Sequence, residues 1–198
     1  MVLISIMNEG VPAPSLHDRI IAVVPYVSWI GRYNYHIWLL CYVPVAAWLW
    51  RVNRDRFVQF LYVGGVLSLL RGISIYVTVL GPVSGVDMNA GIPTNELIRS
   101  WLAIINPVAA LTSDVTHIYL TKDLFFSGHT ASTFLLWLYC LGHRSLSRVA
   151  LVCHLIVVAS VFLCHLHYTI DVLGAYAVTF SLYILAERGG EKIRRNVA

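Results

Sequence analysis

VALVCHLIVVASVFLCHLHYTIDVLGAYAVTFSLYILA, residues 149–186, carries one formally charged side chain, Asp171, and divides into apolar runs at 148–166 and 168–186. Each run approaches the roughly 20 residues a helix needs to cross the hydrocarbon of a bilayer. His167-Tyr168-Thr169-Ile170-Asp171 sits where the second begins. The stretch reads as a helical hairpin in a membrane with a polar string at its turn. Further apolar runs cover 35–50, 57–80 and 127–142, and a shorter one at 20–31 carries Pro25 and ends at Gly31. The expectation is an all-α, polytopic membrane bundle of about six transmembrane helices, forming a single domain over residues 1–198.

Composition points the same way. Of 198 residues, 58% are hydrophobic and 12% charged, and the mean hydropathy of +0.72 lies outside the range of soluble domains. Six spans and one sizeable loop leave no room for a second domain. The formal charge is +4, but the basic residues lie in short clusters between apolar runs, so nucleic acid is excluded as a partner. The start, Met1 to Met7, has no cationic lead and is interrupted by Asn8, Glu9 and Gly10, so it reads as mature chain rather than a secretory signal. Cys41, Cys140, Cys153 and Cys164 fall in or beside apolar runs without Cys-x-x-Cys spacing and read as small core hydrophobes. No repeat of 20 to 50 residues is visible, which argues against a solenoid or an inverted-repeat transporter.

Cationic loops are retained in the cytoplasm. Arg51, Arg54 and Arg56, then Arg144 and Arg148, then Arg188, Lys192, Arg194 and Arg195 alternate with the spans and belong on one side. The loop 81–126 holds Arg99 and Lys122 against Asp87, Glu96, Asp114 and Asp123, a formal charge of +2 − 4 = −2, and belongs on the other. Both termini are therefore expected to be cytoplasmic, with the loop and the residues beside it extracytoplasmic or luminal. A loop of that length is expected to be partly structured and functional. Asn95 to Ile105 reads as a short helix capped by Thr94 after Pro93, with Pro107 helping to end it. Trp29, Trp38, Trp48, Trp50 and Trp137 read mainly as an interfacial belt. An aromatic cage for a quaternary ammonium headgroup would draw on Tyr76, Tyr168, Tyr176 or Trp101.

Two strings carry chemistry. Ser127-Gly128-His129-Thr130 precedes the run Ala131 to Leu141, at a helix start where unpaired N–H groups and the dipole favour an anion. Ser127 adds a hydroxyl donor, and Gly128 allows close approach of a phosphate. Taken alone, the string also fits ordinary capping and an interfacial histidine. His167 and Asp171, four apart, share one helical face, where a carboxylate fixes the imidazole tautomer. An ionisable pair at membrane depth points to function, with a helix-tying His–Asp bond as the bland alternative. Topology brings both histidines to the same face. Arg71, about nine residues before the outer end of its span, lies roughly 14 Å below that end at ~1.5 Å per residue and can reach outward along its long stem.

These residues resemble a known family. Ser127-Gly128-His129-Thr130 followed by His167-Tyr168-Thr169-Ile170-Asp171-Val172 with Ala175-Tyr176 is similar to the sphingomyelin synthase branch of the type 2 phosphatidic acid phosphatase superfamily. Asp123-Leu124-Phe125-Phe126 resembles its Gly-Asp-x-x-Phe lead-in, with Lys122 where glycine is usual, and Arg71 to Leu80 resembles its Arg-x-x-x-Met-Tyr-Val-Thr segment. The resemblance spans about 57–186. It implies a six-span bundle in which His167 attacks phosphorus to form a phosphohistidine, Asp171 orients it and His129 serves as acid and base. Arg71, Asp123, Ser127, Gly128 and Tyr168 are then expected to hold the substrate.

The hydrolytic branch carries Lys-x6-Arg-Pro early and Ser-Arg-x5-His late. Here Lys122 and Lys192 are the only lysines and neither begins the first pattern, while Ser160 is followed by Val161 where the second has arginine. A pocket depleted of cations suits a singly charged diester better than a monoester. The resemblance thus implies a phosphotransferase that moves phosphocholine or a related headgroup from a glycerophospholipid to a lipid alcohol, ceramide or diacylglycerol. A hydrolase using water as acceptor and a non-catalytic lipid-binding subunit are the rivals. Membrane lipids are the expected partners, with self-association left open. No cofactor or metal is expected: His165 and His167 beside Cys164 do not make a zinc spacing, and no carboxylate-rich magnesium site is present.

Overall fold

The computed structural model describes residues 7–9, 11–83, 85, 91–105 and 122–197. Its helices are α1 (Ser28–Val52), α2 (Arg54–Thr78), α3 (Thr94–Ile105), α4 (Gly128–Cys140), α5 (Arg144–Leu163) and α6 (Thr169–Val197), and no strand occurs among the described residues. Asn53 alone separates α1 from α2. Its N–H closes α1 on the Leu49 carbonyl, and its side-chain oxygen accepts from Arg56 N at 3.1 Å, so one residue ends the first helix and caps the second. The short connection forces α1 and α2 into an antiparallel pair.

Packing follows the expected inversion of a membrane bundle. Leu49, Phe60, Leu67, Leu135, Leu136, Tyr139, Leu146, Ala150 and Ala175 form the core where helices meet. Leu40, Tyr62, Leu69, Val77, Leu155, Leu173 and Leu185 point outward, an apolar exterior too extensive for water. Three helical segments, Arg54–Thr78, Arg144–Leu163 and Thr169–Gly190, are long and apolar enough to cross a membrane. The fold is the all-α membrane bundle read from the sequence, but its span pattern differs from six regular crossings. The 13 residues of α4 cover about 20 Å, less than a hydrocarbon core of roughly 30 Å. α3 agrees with the helix read over Asn95 to Ile105; Pro107 lies outside the described residues.

The shortest expected span, 20–31, is not a helix. Asp18 Oδ1 accepts from Ile20 N and Ile21 N, closing a turn, Pro25 supplies no backbone N–H, and α1 starts only at Ser28. With that span gone, the described part of the N-terminal segment lies at the same end as the heads of α4 and α6. Asn8 bonds the Ile75 carbonyl, Gly81 N bonds the Pro14 carbonyl and Leu16 N bonds the Tyr168 hydroxyl. The reading that put both termini at the opposite end therefore does not fit this segment. The basic clusters at 51–56 and 143–148 do lie together at that opposite end, with the start of the basic tail: Arg56 pairs with Glu187 and its guanidinium sits 5.7 Å from the Tyr139 ring.

Asp18 pins the segment to α6. Thr169 N donates to Asp18 Oδ2 at 2.6 Å and the Thr169 hydroxyl to Oδ1 at 3.0 Å, a cap supplied from 151 residues away in sequence. Burial pushes the Asp18 carboxyl up, but the hydrogen bonds from Thr169, Ile21 and Ile20 outweigh it and hold the group below its ordinary 3.8. A depressed carboxylate contributes stability that is complete above 3.8 and is lost as pH falls through the lowered value. Asp18→Ala should thus cost about 1 kcal/mol in detergent-solubilised protein at neutral pH. Thermal unfolding should show the gap between wild type and variant closing as the medium is acidified below pH 4.

Candidate active site

α6 opens on its third residue, Asp171, whose carboxylate has no exposure. Oδ2 accepts Tyr168 N at 3.0 Å, the return half of a capping box, and faces His167 Nδ1 at 3.3 Å. Oδ1 accepts Phe125 N at 3.2 Å, and the Asp171 carbonyl accepts Ser127 N at 3.1 Å. One residue therefore orients His167 and fastens the lead-in of α4 beside it. With Nδ1 turned to a carboxylate, the nitrogen left to react is Nε2.

Arg71 reaches this junction from α2. Its Nε donates to the Phe126 carbonyl at 2.8 Å, and one terminal nitrogen donates to Asp123 Oδ2 at 2.9 Å and the Asp123 carbonyl at 3.2 Å. The guanidinium is 7% exposed, so the outward reach expected for this side chain is realised inside the protein. Gly128 makes the approach feasible: a Cβ there would lie 2.9 Å from Arg71 Nε and 3.1 Å from Cζ. Ser127 is buried and its hydroxyl accepts Thr130 N at 3.3 Å, so it caps α4. Half-buried His129 follows, within electrostatic reach of both His167 and Arg71. Both imidazoles, the carboxylate and the guanidinium thus meet at one end of the bundle, and Gly128 and His129 form its more open edge.

The sequence comparisons bear on this cluster. Residues 122–188 match the family described as PAP2 superfamily C-terminal. Phosphatidylcholine:ceramide cholinephosphotransferase 2 of Rattus norvegicus is 31% identical, covering 91% of this chain and 53% of its own length. The Homo sapiens protein of the same name is 29% identical over the same shares, and phosphatidylcholine:ceramide cholinephosphotransferase 1 of Homo sapiens is 29% identical over 92% of this chain and 47% of its own. The chain is a homologue of these enzymes. It spans about half the length of the curated relatives it matches. No solved structure matches it.

The matched family region holds Asp123, Ser127, Gly128, His129, His167 and Asp171, while Arg71 comes from outside it. The similarity to the cholinephosphotransferases also reaches well beyond the 57–186 stretch marked by motifs. Tyr168 is 1% exposed, and its hydroxyl lies 2.9 Å and 3.0 Å from the Gly81 and Pro82 carbonyls while accepting Leu16 N. It holds the N-terminal segment down. Among the described residues Tyr76, Tyr168 and Tyr176 do not form an aromatic cage, since Tyr176 bonds His154, Tyr168 is buried and Tyr76 faces outward; the Trp101 side chain lies outside the described residues. His165 Nε2 meets the Val24 carbonyl at 2.9 Å in the α5–α6 turn.

Several polar residues have structural roles that spacing does not reveal, because each works through a distant partner. Lys122 donates its ammonium to the Glu9 and Val11 carbonyls, and its N–H to Glu9 Oε1. Thr133 lies 2.9 Å from His154 Nδ1, and His154 Nε2 lies 2.8 Å from the Tyr176 hydroxyl, a polar seam through α4, α5 and α6. The only sequence signal for Thr133 and His154 is a polar side chain inside an apolar run. A methyl at Gly128 would displace the tied guanidinium, so Gly128→Ala should cost about 1–3 kcal/mol of stability. It should also lower turnover in whatever lipid assay the wild type supports. Arg71→Ala should relieve the clash, which a double-mutant cycle on unfolding would register as coupling between the two sites.

Proposed function

We propose that the protein is a membrane phosphotransferase that moves phosphocholine, or a closely related headgroup phosphoester, from a glycerophospholipid to ceramide or diacylglycerol through a phosphohistidine on His167. The observation that carries this reading is the buried His167–Asp171 pair, 3.3 Å apart, set beside His129 and Arg71 at one end of the helices. Likeness to relatives named as cholinephosphotransferases supports the choice of headgroup and acceptor.

In the first half-reaction His167 Nε2 attacks phosphorus, the P–O bond to the diacylglycerol breaks, and protonated His129 gives its proton to the departing oxygen. The second runs in reverse with a new alcohol: His129 takes the hydroxyl proton, the oxygen attacks phosphorus, and the P–N bond to His167 breaks. Asp171 supports the charge that develops on His167 in each direction. Arg71 and the N–H groups at the head of α4 oppose charge on the phosphoryl oxygens. Since Asp123 offsets Arg71, the cluster's cationic charge is modest, which fits a diester. We place the site on the extracytoplasmic or luminal face, opposite the basic turns, and take His129, His167 and Asp171 as catalytic.

The test supplies labelled phospholipid to purified protein in vesicles, with and without ceramide or diacylglycerol. Label should pass to the added alcohol, and the wild type trapped without acceptor should hold acid-labile, alkali-stable phosphate. His167→Ala should lose both signals, with turnover falling by several orders of magnitude. Release of label only as water-soluble phosphocholine or phosphate would reject transfer in favour of hydrolysis. Unchanged turnover in His167→Ala would reject the histidine mechanism altogether.

A further inference from the structure

His129 is held from a side that the two histidine strings do not reveal. Asn34 of α1, 7% exposed, places its amide nitrogen 3.5 Å from His129 Nε2. Its amide oxygen lies 2.9 Å from the hydroxyl of Ser160 on α5, itself buried and 2.8 Å from the Val157 carbonyl. Trp38, one turn along α1, sets its ring edge-on to the imidazole at 5.7 Å, and its Nε1 donates to Ser132, which in turn donates to the His129 carbonyl. α1, braced by Ser160 of α5, thus grips the first turn of α4.

We propose that Asn34, anchored by Ser160, is a positioning residue that fixes the rotation of His129 and decides which of its nitrogens exchanges a proton with the substrate. The proposal rests on reading His129 as the acid and base of the reaction. Chemistry narrows the arrangement, because Ser160 has one proton and two acceptors in reach. When that proton goes to Asn34 Oδ1, the amide N–H points at His129 Nε2, which must then carry the lone pair. With the amide so set, Nε2 would be the basic nitrogen yet faces an N–H donor and is closed to the substrate. A half-turn of the amide instead presents Oδ1 to Nε2–H, while the amide N–H turns to the Ser160 oxygen and the Ser160 proton goes to Val157 O. Nε2 then keeps its proton whether the ring is neutral or an imidazolium, no helix moves, and Nδ1 is the nitrogen that takes up and gives back the proton.

Of the titratable and charged groups, Arg71 from α2 and His167 at the head of α6 act on His129; behind them Asp123 pairs with Arg71 and Asp171 with His167, while His154 from α5 meets Thr133, one turn along α4. From α1 it meets Asn34 and Trp38.

The experiment measures the pH profile of headgroup transfer in vesicles of phosphatidylcholine with added ceramide. Asn34→Leu should lower kcat about tenfold to a hundredfold with KM little changed, as a misplaced catalytic group does. Asn34→Asp sets a carboxylate against the imidazole and should move the His129-dependent limb to higher pH by about one unit or more. Ser160→Ala, which leaves α1 untouched, should give a smaller loss in kcat. Nitrogen-15 histidine spectra of the folded wild type, with the His129 signal assigned by its loss in His129→Gln, should show the neutral ring protonated on Nε2. An Nδ1-protonated neutral ring, or unaltered kcat and pH profile in both Asn34 variants, would overturn the proposal. His129→Gln and His167→Ala run in the same assay separate the two failures: if they retain turnover the catalytic reading itself falls, and if they lose it while the Asn34 variants do not, only this inference falls.

Discussion

The Asp171 carboxylate is the contact on which the arrangement of the site depends. It is fully buried, and a buried carboxylate without partners costs several kcal/mol. Its position in the first turn of α6 offsets that cost, since the helix dipole favours a negative charge there and Tyr168 N, Phe125 N and His167 all approach its oxygens. The Phe125 contact is the decisive one structurally, because it crosses 46 residues and brings the lead-in of α4 to the head of α6. The two histidine strings are neighbours because one acid must be satisfied from both.

Given that junction, the remaining elements have definite tasks. α2 delivers a guanidinium that ties off the Phe126 carbonyl and Asp123. Gly128 leaves room for it, so the glycine read as a phosphate-approach position has a second, purely steric duty. α1 packs against α5, with Val27 N on the Leu163 carbonyl and Asn34 on Ser160, and its polar residues face the head of α4. The N-terminal segment closes over the same end through Lys122, Tyr168 and Asp18. In a low-dielectric bundle each of these polar groups must be paired, and each pairing fixes a helix end.

What was legible in the sequence follows from the range of the interactions. The α6 pair at i and i+4, the Ser127 cap and the helix after Pro93 are local, so spacing reveals them. The convergence of His129, His167 and Arg71 was legible through topology, because apolar run lengths and basic turns fix which helix ends coincide. Residues 20–31 misled because apolar composition records only that a segment avoids water, and Asp18 and Pro25 turn it into a surface-following segment. Asn34 was invisible because a single polar residue in an apolar helix has no pattern; its meaning lies with Ser160, a partner 126 positions away. Ser160 did stand out against the hydrolytic family's Ser-Arg pair. The structure shows the serine kept for an internal contact where the neighbouring arginine is replaced by Val161, buried in the bundle.

That replacement bears on substrate charge. A monoester phosphate brings close to two negative charges and needs several cations to enter a buried site, whereas a diester brings one. Arg71 is already balanced by Asp123, and Lys122 spends its ammonium on carbonyls of the N-terminal segment. Adding a monoester to such a cluster would leave uncompensated charge in a low-dielectric setting; adding a diester leaves little. On the proposed mechanism, the choice between a lipid alcohol and water as acceptor depends on which hydroxyl reaches the half-buried edge at Gly128 and His129. With His167 only 3% exposed, that mechanism favours an acceptor delivered from the apolar face of the bundle over bulk water.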